Sequence, residues 1–461
     1  MNTEYKEISI REQTAINLEE CEDDETDKLI ALKCGLGQNF DWIRASIESG
    51  DMELIEVSLK NIIQFLLENQ INLGGISFDI NHCEMLIQFL KDILLLNKSE
   101  LDGIPVGYVF RILSILFIKY KEVKDMMNQD NFMEIIDLYM EKPFFAGKSN
   151  IFKLIGNLLM IEEGYYPLID KYIHVDNLAT KTREFLEFAS EYDLESVSFC
   201  FSKISGVIDM SKVDYDEVFS ICQYILVKNQ AKSVYFSLLT LKNIMCDFDG
   251  NKAILEEYNE LYFIDIFASH VVKHCSGEDI DSVGASILEL LVQNNVNIHD
   301  NCLSDIIERL KEPTRIIKIH EDLAHLMCSI VGSIDLGEID IINVCSDLKQ
   351  IICTSNYKIV MISAQAYFII INRTNNYSEF NIVNEISFIL EYISIENEDI
   401  VGLALNSLGK LLSYSNDTGI FNDVIQFIDV DFLRETLNEI SVSSSSSNIS
   451  SALLISTYFP Q

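Results

Sequence analysis

The chain has 461 residues, with 72 acidic against 34 basic side chains and a formal net charge of −38. Such a field repels phosphate backbones, so nucleic acid is excluded as the expected ligand. Hydrophobic residues make up 48% of the chain, enough for a large core, while 5 prolines and 19 glycines punctuate it too sparsely for a turn-dense β-fold. The length fits either a few ordinary domains or one long helical array.

The eleven cysteines are odd in number, scattered and without a CxxC pair. That is the usage of reduced core residues in an intracellular protein, not of a disulfide framework. The opening residues MNTEYKEISIREQ hold no apolar signal core, so secretion is not expected, and the location predicted is cytoplasmic, with the nucleus as alternative. The longest uncharged apolar run, Ile359–Asn372, is too short to span a bilayer and reads as a buried helix.

In chain order, residues 1–28 carry ten acidic groups against three basic ones, ending in Glu19–Asp27, and read as a disordered acidic arm. Residues 29–102 read as an irregular helical cap. Within it Asp51 is placed to cap a helix reaching Asn69, with Leu54, Ile55, Leu59, Ile62, Ile63 and Leu66 on one face. Gly74-Gly75 breaks the chain, Cys83–Leu96 resumes as a helix, and Trp42 is expected to pack inside the cap.

From 103 to 461 the pattern becomes regular. Asp399–Ser413 and Ser233–Cys246 are helix-length segments that are apolar on nearly every side and so must be buried. Asn157 and Asn243 occupy the same place in an L-x-N-[LI] pattern, two steps of about 43 residues apart, and Lys410 lies close to four further steps. Filling in the phase predicts buried helices at Val109–Tyr120, Val197–Ile204, Ile280–Val292, Ile319–Val331, Ile359–Ile371 and Ile449–Phe459. Each is flanked by shorter helical stretches, with Asn131 and Asn259 at the corners, since Asn tolerates the left-handed backbone a sharp corner needs. Ser443–Ser447 reads as a flexible connector before an unusually apolar terminal segment.

This unit resembles the armadillo repeat, on VYFSLLTLKNIMCDFDGNKAILEEYNELYFIDIF (234–267) and NEDIVGLALNSLGKLLS (397–413). HEAT-type helical pairs have a similar period. The resemblance implies an all-α, right-handed α-solenoid of about nine repeats. In armadillo proteins that import nuclear cargo, a third-helix Asn holds the cargo backbone and a Trp four residues earlier stacks on lysine stems. Four residues before Asn157, Asn243 and Lys410 stand Lys153, Leu239 and Asn406, so the Trp ladder is missing. By that resemblance Lys153, Asn157, Asn243, Asn406 and Lys410 are the candidate partner-binding residues.

Other motifs are weaker. His270, His274 and Cys275 share part of a helix, as do His320, His325 and Cys328, but neither group forms a closed set of zinc ligands. In Asp247–Glu257 the glycine stands at position four, where a calcium loop needs it at six. Cys34-Gly35-Leu36-Gly37 lacks the lysine and further glycine of a phosphate cradle, and no GxSxG or HExxH occurs. The expectation is a non-enzymatic scaffold without cofactor or metal, binding an extended and basic segment of a protein partner, with no membrane insertion. The alternatives are a karyopherin-like transport adaptor and a structural subunit of a larger complex.

Overall fold

The structure, a computed structural model, describes residues 22–69, 73, 76–95, 104–127, 130–141, 147–161, 171, 175–187, 189–207, 215–274, 278–312, 317–333 and 340–459. Every regular element among them is helical. The chain divides into two compact units at Ile221/Cys222, and each is an all-α stack of armadillo- or HEAT-like repeats.

The first unit holds α1 (Glu22–Ser49), α2 (Met52–Glu68), α3 (Asn81–Leu95), α4 (Ile104–Lys119), α5 (Lys121–Met127), α6 (Asp130–Met140), α7 (Lys148–Ile161), α8 (Val175–Leu186) and α9 (Glu191–Ile204), and the boundary falls in α10 (Tyr215–Val227). Most of the expected acidic arm lies outside the described residues, but from Glu22 the backbone is already helical. Asp51 caps α2 as read from sequence, its carboxylate accepting from the N–H groups of Glu53 (3.0 Å) and Leu54 (3.4 Å). The buried stripe is Ile55, Leu59, Ile62, Ile63 and Leu66, while Leu54 faces solvent. Trp42 is not a packing residue: α1 buries Leu32, Leu36, Phe40 and Ile43, and Trp42 falls off that stripe, 43% exposed. The Gly74-Gly75 break lies outside the described residues.

The second unit holds α11 (Ala231–Asp247), α12 (Lys252–Tyr262), α13 (Ile264–His274), α14 (Glu278–Gln293), α15 (Asp300–Lys311), α16 (Ile317–Ser333), α17 (Ile341–Thr354), α18 (Tyr357–Arg373), α19 (Ile382–Leu390), α20 (Glu398–Asp417), α21 (Phe421–Ile425), α22 (Val430–Ser443) and α23 (Ser446–Ser456). All six apolar windows placed by phase are helices, α4, α9, α14, α16, α18 and α23; the first five are long and largely buried, while α23 is short and buries Asn448, Ala452 and Ile455 but leaves Leu453 and Leu454 exposed. They form a ladder in which each packs on its neighbour, α2–α4–α7–α9 in the first unit and α11–α14–α16–α18–α20–α23 in the second. A helix sandwiched between equivalent helices on two sides, with a covering helix on a third, must be apolar nearly all round. That is why the pattern was visible.

Three helices per repeat occur at α5–α7, α12–α14 and α21–α23, whereas α15–α16, α17–α18 and α19–α20 are pairs. Before α19 the stretch 374–381 (TNNYSEFN) is rich in Asn and Ser, which compete with helical backbone bonds. Tyr377 takes the place of a first helix: it is buried, donates to the Ile371 carbonyl (2.8 Å) and packs edge-on against Tyr414 (5.5 Å).

The corner before α13 differs from expectation. Asn259 lies inside α12, and the left-handed residue is Phe263 (φ 53°, ψ 43°). Buried Asn259 instead joins the two helices, accepting from the Asp265 N–H (3.0 Å) and donating to the Asn297 carbonyl (3.3 Å). Asn131, the other expected corner, lies within α6. Ser443–Ser447 is no connector either: only Ser444 and Ser445 separate α22 from α23. The terminal helix folds back on α20 and α22, and its Asn448 amide donates to the Glu398 carbonyl (2.9 Å).

Five cysteines, Cys83, Cys200, Cys222, Cys302 and Cys345, are buried free thiols, and burial pushes Cys222 up to about 12. Cys34, Cys246 and Cys353 are exposed rather than in the core. Where α7 meets α9 the approach depends on Gly156. A Cβ there would lie 2.6 Å from the Phe199 ring and 3.3 Å from the Cys200 Cα. Gly156→Val is therefore expected to cost about 1–3 kcal/mol through overpacking, read as a lower urea midpoint at unchanged slope.

Candidate functional site

The candidate site is the row of side chains that the ladder helices present beside their buried stripes. Repetition places equivalent positions in register, and hydrogen bonds one repeat apart lock that register. In the first unit Asn157 donates to the Ser114 hydroxyl (2.7 Å) and Tyr192 to the Asn150 side-chain amide oxygen Oδ1 (2.9 Å). In the second, Asn372 donates to the Leu403 carbonyl (3.1 Å), Ser407 to that of Phe368 (3.4 Å), and Arg373 to that of Val331. These bonds join residues 31 to 43 positions apart, about one repeat, so they tie each repeat to its neighbour.

The five residues singled out from sequence are treated differently by this packing. Asn157 is only 4% exposed and its amide is spent on Ser114, so it serves the contact between α4 and α7. Asn243 is half-buried on α11. Asn406 is exposed and accepts from Ser451 (3.0 Å), and exposed Lys410 donates to the Asn372 carbonyl. Lys153 stands over the Tyr192 ring (5.3 Å from its centroid) and near Glu195 (3.9 Å). Lys153 belongs to one unit and Asn406 and Lys410 to the other.

Two residues that the sequence reading missed join Lys153. Arg111 of α4 also stands over the Tyr192 ring, at 5.6 Å, so cations from two successive ladder helices converge on one aromatic side chain of the third. Half-burial raises the Tyr192 hydroxyl above its ordinary range, with Arg111 pulling the other way. The signal that could have found them is charge. Helices α4 and α7 hold Arg111, Lys119, Lys148 and Lys153 and not one Asp or Glu, in a chain with twice as many acids as bases.

The histidine groups do not assemble. His270 and His274 are exposed neighbours, their rings 4.4 Å apart, while His320 is buried and His325 exposed. Cys275 lies outside the described residues. Among those described, no three His, Cys, Asp or Glu side chains are placed to hold a metal. The turn that is similar to a calcium loop is tied to the next repeat instead: Asn294 accepts from the Gly250 N–H (2.7 Å) and donates to Asp249 (2.9 Å). No described helix is long and apolar enough to cross a membrane.

No protein-family model matches the chain, and no curated protein is significantly similar to it. Among solved structures, an engineered protein is similar at 10% identity and TM-score 0.47, covering 91% of this chain and 97% of its own. A designed armadillo repeat protein is similar at 10% identity and TM-score 0.36, over 62% of this chain and 99% of its own. A third, from work on a phosphorylation switch in the interaction between cadherin and beta-catenin, is similar at 11% identity and TM-score 0.46, over 92% and 85%. Likeness at this level leaves the fold to rest on the repeat geometry above.

Proposed function

We propose that this chain is a non-enzymatic protein-binding scaffold that holds an extended segment of a partner along its ladder faces. The observation that carries the reading is that, within each unit, successive ladder helices bring polar and aromatic side chains together: Arg111, Lys153 and Tyr192 in the first unit and, separately, Asn406 and Lys410 in the second. Contacts one repeat apart position them: Arg111 and Lys153 stand over the Tyr192 ring, Tyr192 donates to the Asn150 side chain, Asn406 accepts from Ser451 and Lys410 donates to the Asn372 carbonyl. A rigid row with a fixed repeat suits an extended chain, which meets the scaffold through many modest contacts, the rigidity sparing ordering cost on one side. Small-molecule catalysis calls for convergent titratable groups in a concave pocket, and repetition spreads side chains along a line instead. The designed armadillo repeat protein and the beta-catenin structure point the same way only as analogies.

A second reading, a subunit docked in a larger assembly, has one observation in its favour. At the end of the second unit Val442, Leu453 and Leu454 are 87%, 56% and 64% exposed, where a repeat array ordinarily presents a polar cap. Cross-linking of the tagged full-length chain to its co-purifying partners separates the two. Cross-links at Lys153 and Lys410 are expected. Links confined to the covering helices and the α22–α23 end, from stoichiometric subunits resistant to salt, would favour the assembly reading and remove the ladder reading.

A further inference from the structure

The convergence at Tyr192 runs against the chain's own electrostatics. Two like charges brought to one ring repel, and each cation–π contact at a partly exposed site returns only about 0.5–1 kcal/mol. In a protein with 72 acids, a carboxylate opposite each cation would be the ordinary arrangement. Lys153 has Glu195 at 3.9 Å, whereas Asp193 is turned into a capping box with Ser190. Arg111 has no ion-pair partner among the described residues and stands over the Tyr192 ring. The helices that carry the two cations are themselves free of acids.

From this charge complementarity we propose that the ladder face of the first unit, at Arg111, Lys153 and Tyr192, docks an Asp- or Glu-rich stretch of a partner protein. The inference rests on the ladder being a binding face and reverses the sign of partner expected from net charge. Net charge misleads because screening confines it: at physiological ionic strength the Debye length is about 8 Å, so a docked carboxylate responds to the cations beside it rather than to the whole-chain sum. Guanidinium and carboxylate form paired, charge-assisted hydrogen bonds, and the tyrosine face gives the segment's backbone or apolar side chains a surface to lie on. A phosphodiester chain matches less well, since it carries a charge at every step, whereas a peptide segment can place its few carboxylates at the two cations alone.

The test is selection of a random 16-residue peptide library on the immobilised full-length chain, in parallel with the double variant Arg111→Glu/Lys153→Glu. The milder pair Arg111→Gln/Lys153→Gln serves as a second variant, and thermal melts check that all three are folded. Acidic peptides are expected to be enriched on the native chain and to bind at least about tenfold more weakly to both variants, the loss being larger for charge reversal. Enrichment of basic or neutral peptides, or acidic peptides that bind the variants equally well, would overturn the acidic-segment proposal while leaving the ladder as a binding face. No enrichment of any peptide would remove both. Acidic peptides recovered only after deletion of residues 1–21 would make the chain's own acidic arm the occupant. A single-stranded oligonucleotide that outcompetes them through the same two cations would replace the partner segment with nucleic acid.

Discussion

Arg309→Ala is expected to cost about 3–5 kcal/mol at neutral pH, because it strands a buried carboxylate. Asp281 on α14 is 1% exposed and its Oδ2 lies 3.0 Å from an Arg309 guanidinium nitrogen, the other end of which reaches Glu312 at 2.8 Å. Asp281 Oδ1 and Arg309 Nε find no hydrogen-bond partner among the described residues, so the network has no spare bond to redistribute. Burial pushes Asp281 up to about 6 despite the attraction of Arg309. The sign follows from linkage. Between the ordinary aspartate value and about 6 the folded state binds the extra proton, so this group's contribution is fully present at low pH and is lost as pH rises through about 6. Without Arg309 the carboxyl meets the same burial with no counter-charge. The variant's loss, measured by urea unfolding, should therefore be larger at pH 8 than at pH 5. A loss that is equal or larger at pH 5 would contradict this account.

Tyr367→Ala is expected to cost a similar amount, about 3–5 kcal/mol, and Tyr367→Phe only about 1–2 kcal/mol. The ring is fully buried between Phe368 and Phe388, edge-on to both at 5.4 and 4.9 Å, and its hydroxyl donates to Glu385. Burial and the adjacent carboxylate push that hydroxyl far above the ordinary phenol range, so it remains a donor at any pH the fold survives. Lys349 completes the group, 2.6 Å from Glu385 and over both the Tyr367 and Phe388 rings. Alanine removes the aromatic packing and the hydroxyl together. Phenylalanine removes only the hydroxyl and leaves Glu385 its lysine. In a repeat stack the damage should stay near the repeats that share the contact. Hydrogen exchange is thus expected to quicken in α17–α20 while α4 and α7 keep their protection. A Phe variant as damaged as the Ala variant would mean that the hydrogen bond outweighs the packing.

Much of the architecture was legible because repetition amplifies a weak signal. A single apolar helix such as Ile359–Ile371 is ambiguous, but the same pattern at a constant step is a stack, and all six windows placed by phase became ladder helices. Asp51 was legible as a cap because capping is local, decided by one side chain and two backbone N–H groups. The corners were not. Asn259 looked like the left-handed residue, yet Phe263 takes that backbone, because Asn259 is drawn into bonds with Asp265 and Asn297 that exist only once the repeats stack. Trp42 failed for a related reason: which stripe of α1 is buried depends on where α2 lies.

The same division holds for the binding face. Hydrophobic spacing along the chain is enough to set the helical class, the period and the identity of the ladder helices. The sequence also held an unread clue in the acid-free helices α4 and α7. Which ladder residues remain available depends on how the helices stack. Asn157, singled out by its place in the L-x-N-[LI] pattern, is consumed by Ser114. Arg111, Lys153 and Tyr192, far apart in sequence, are brought to one point because stacking sets equivalent turns of successive helices side by side. Periodicity is a property of a segment, whereas the convergence of two cations and a tyrosine from three ladder helices exists only after those segments have packed.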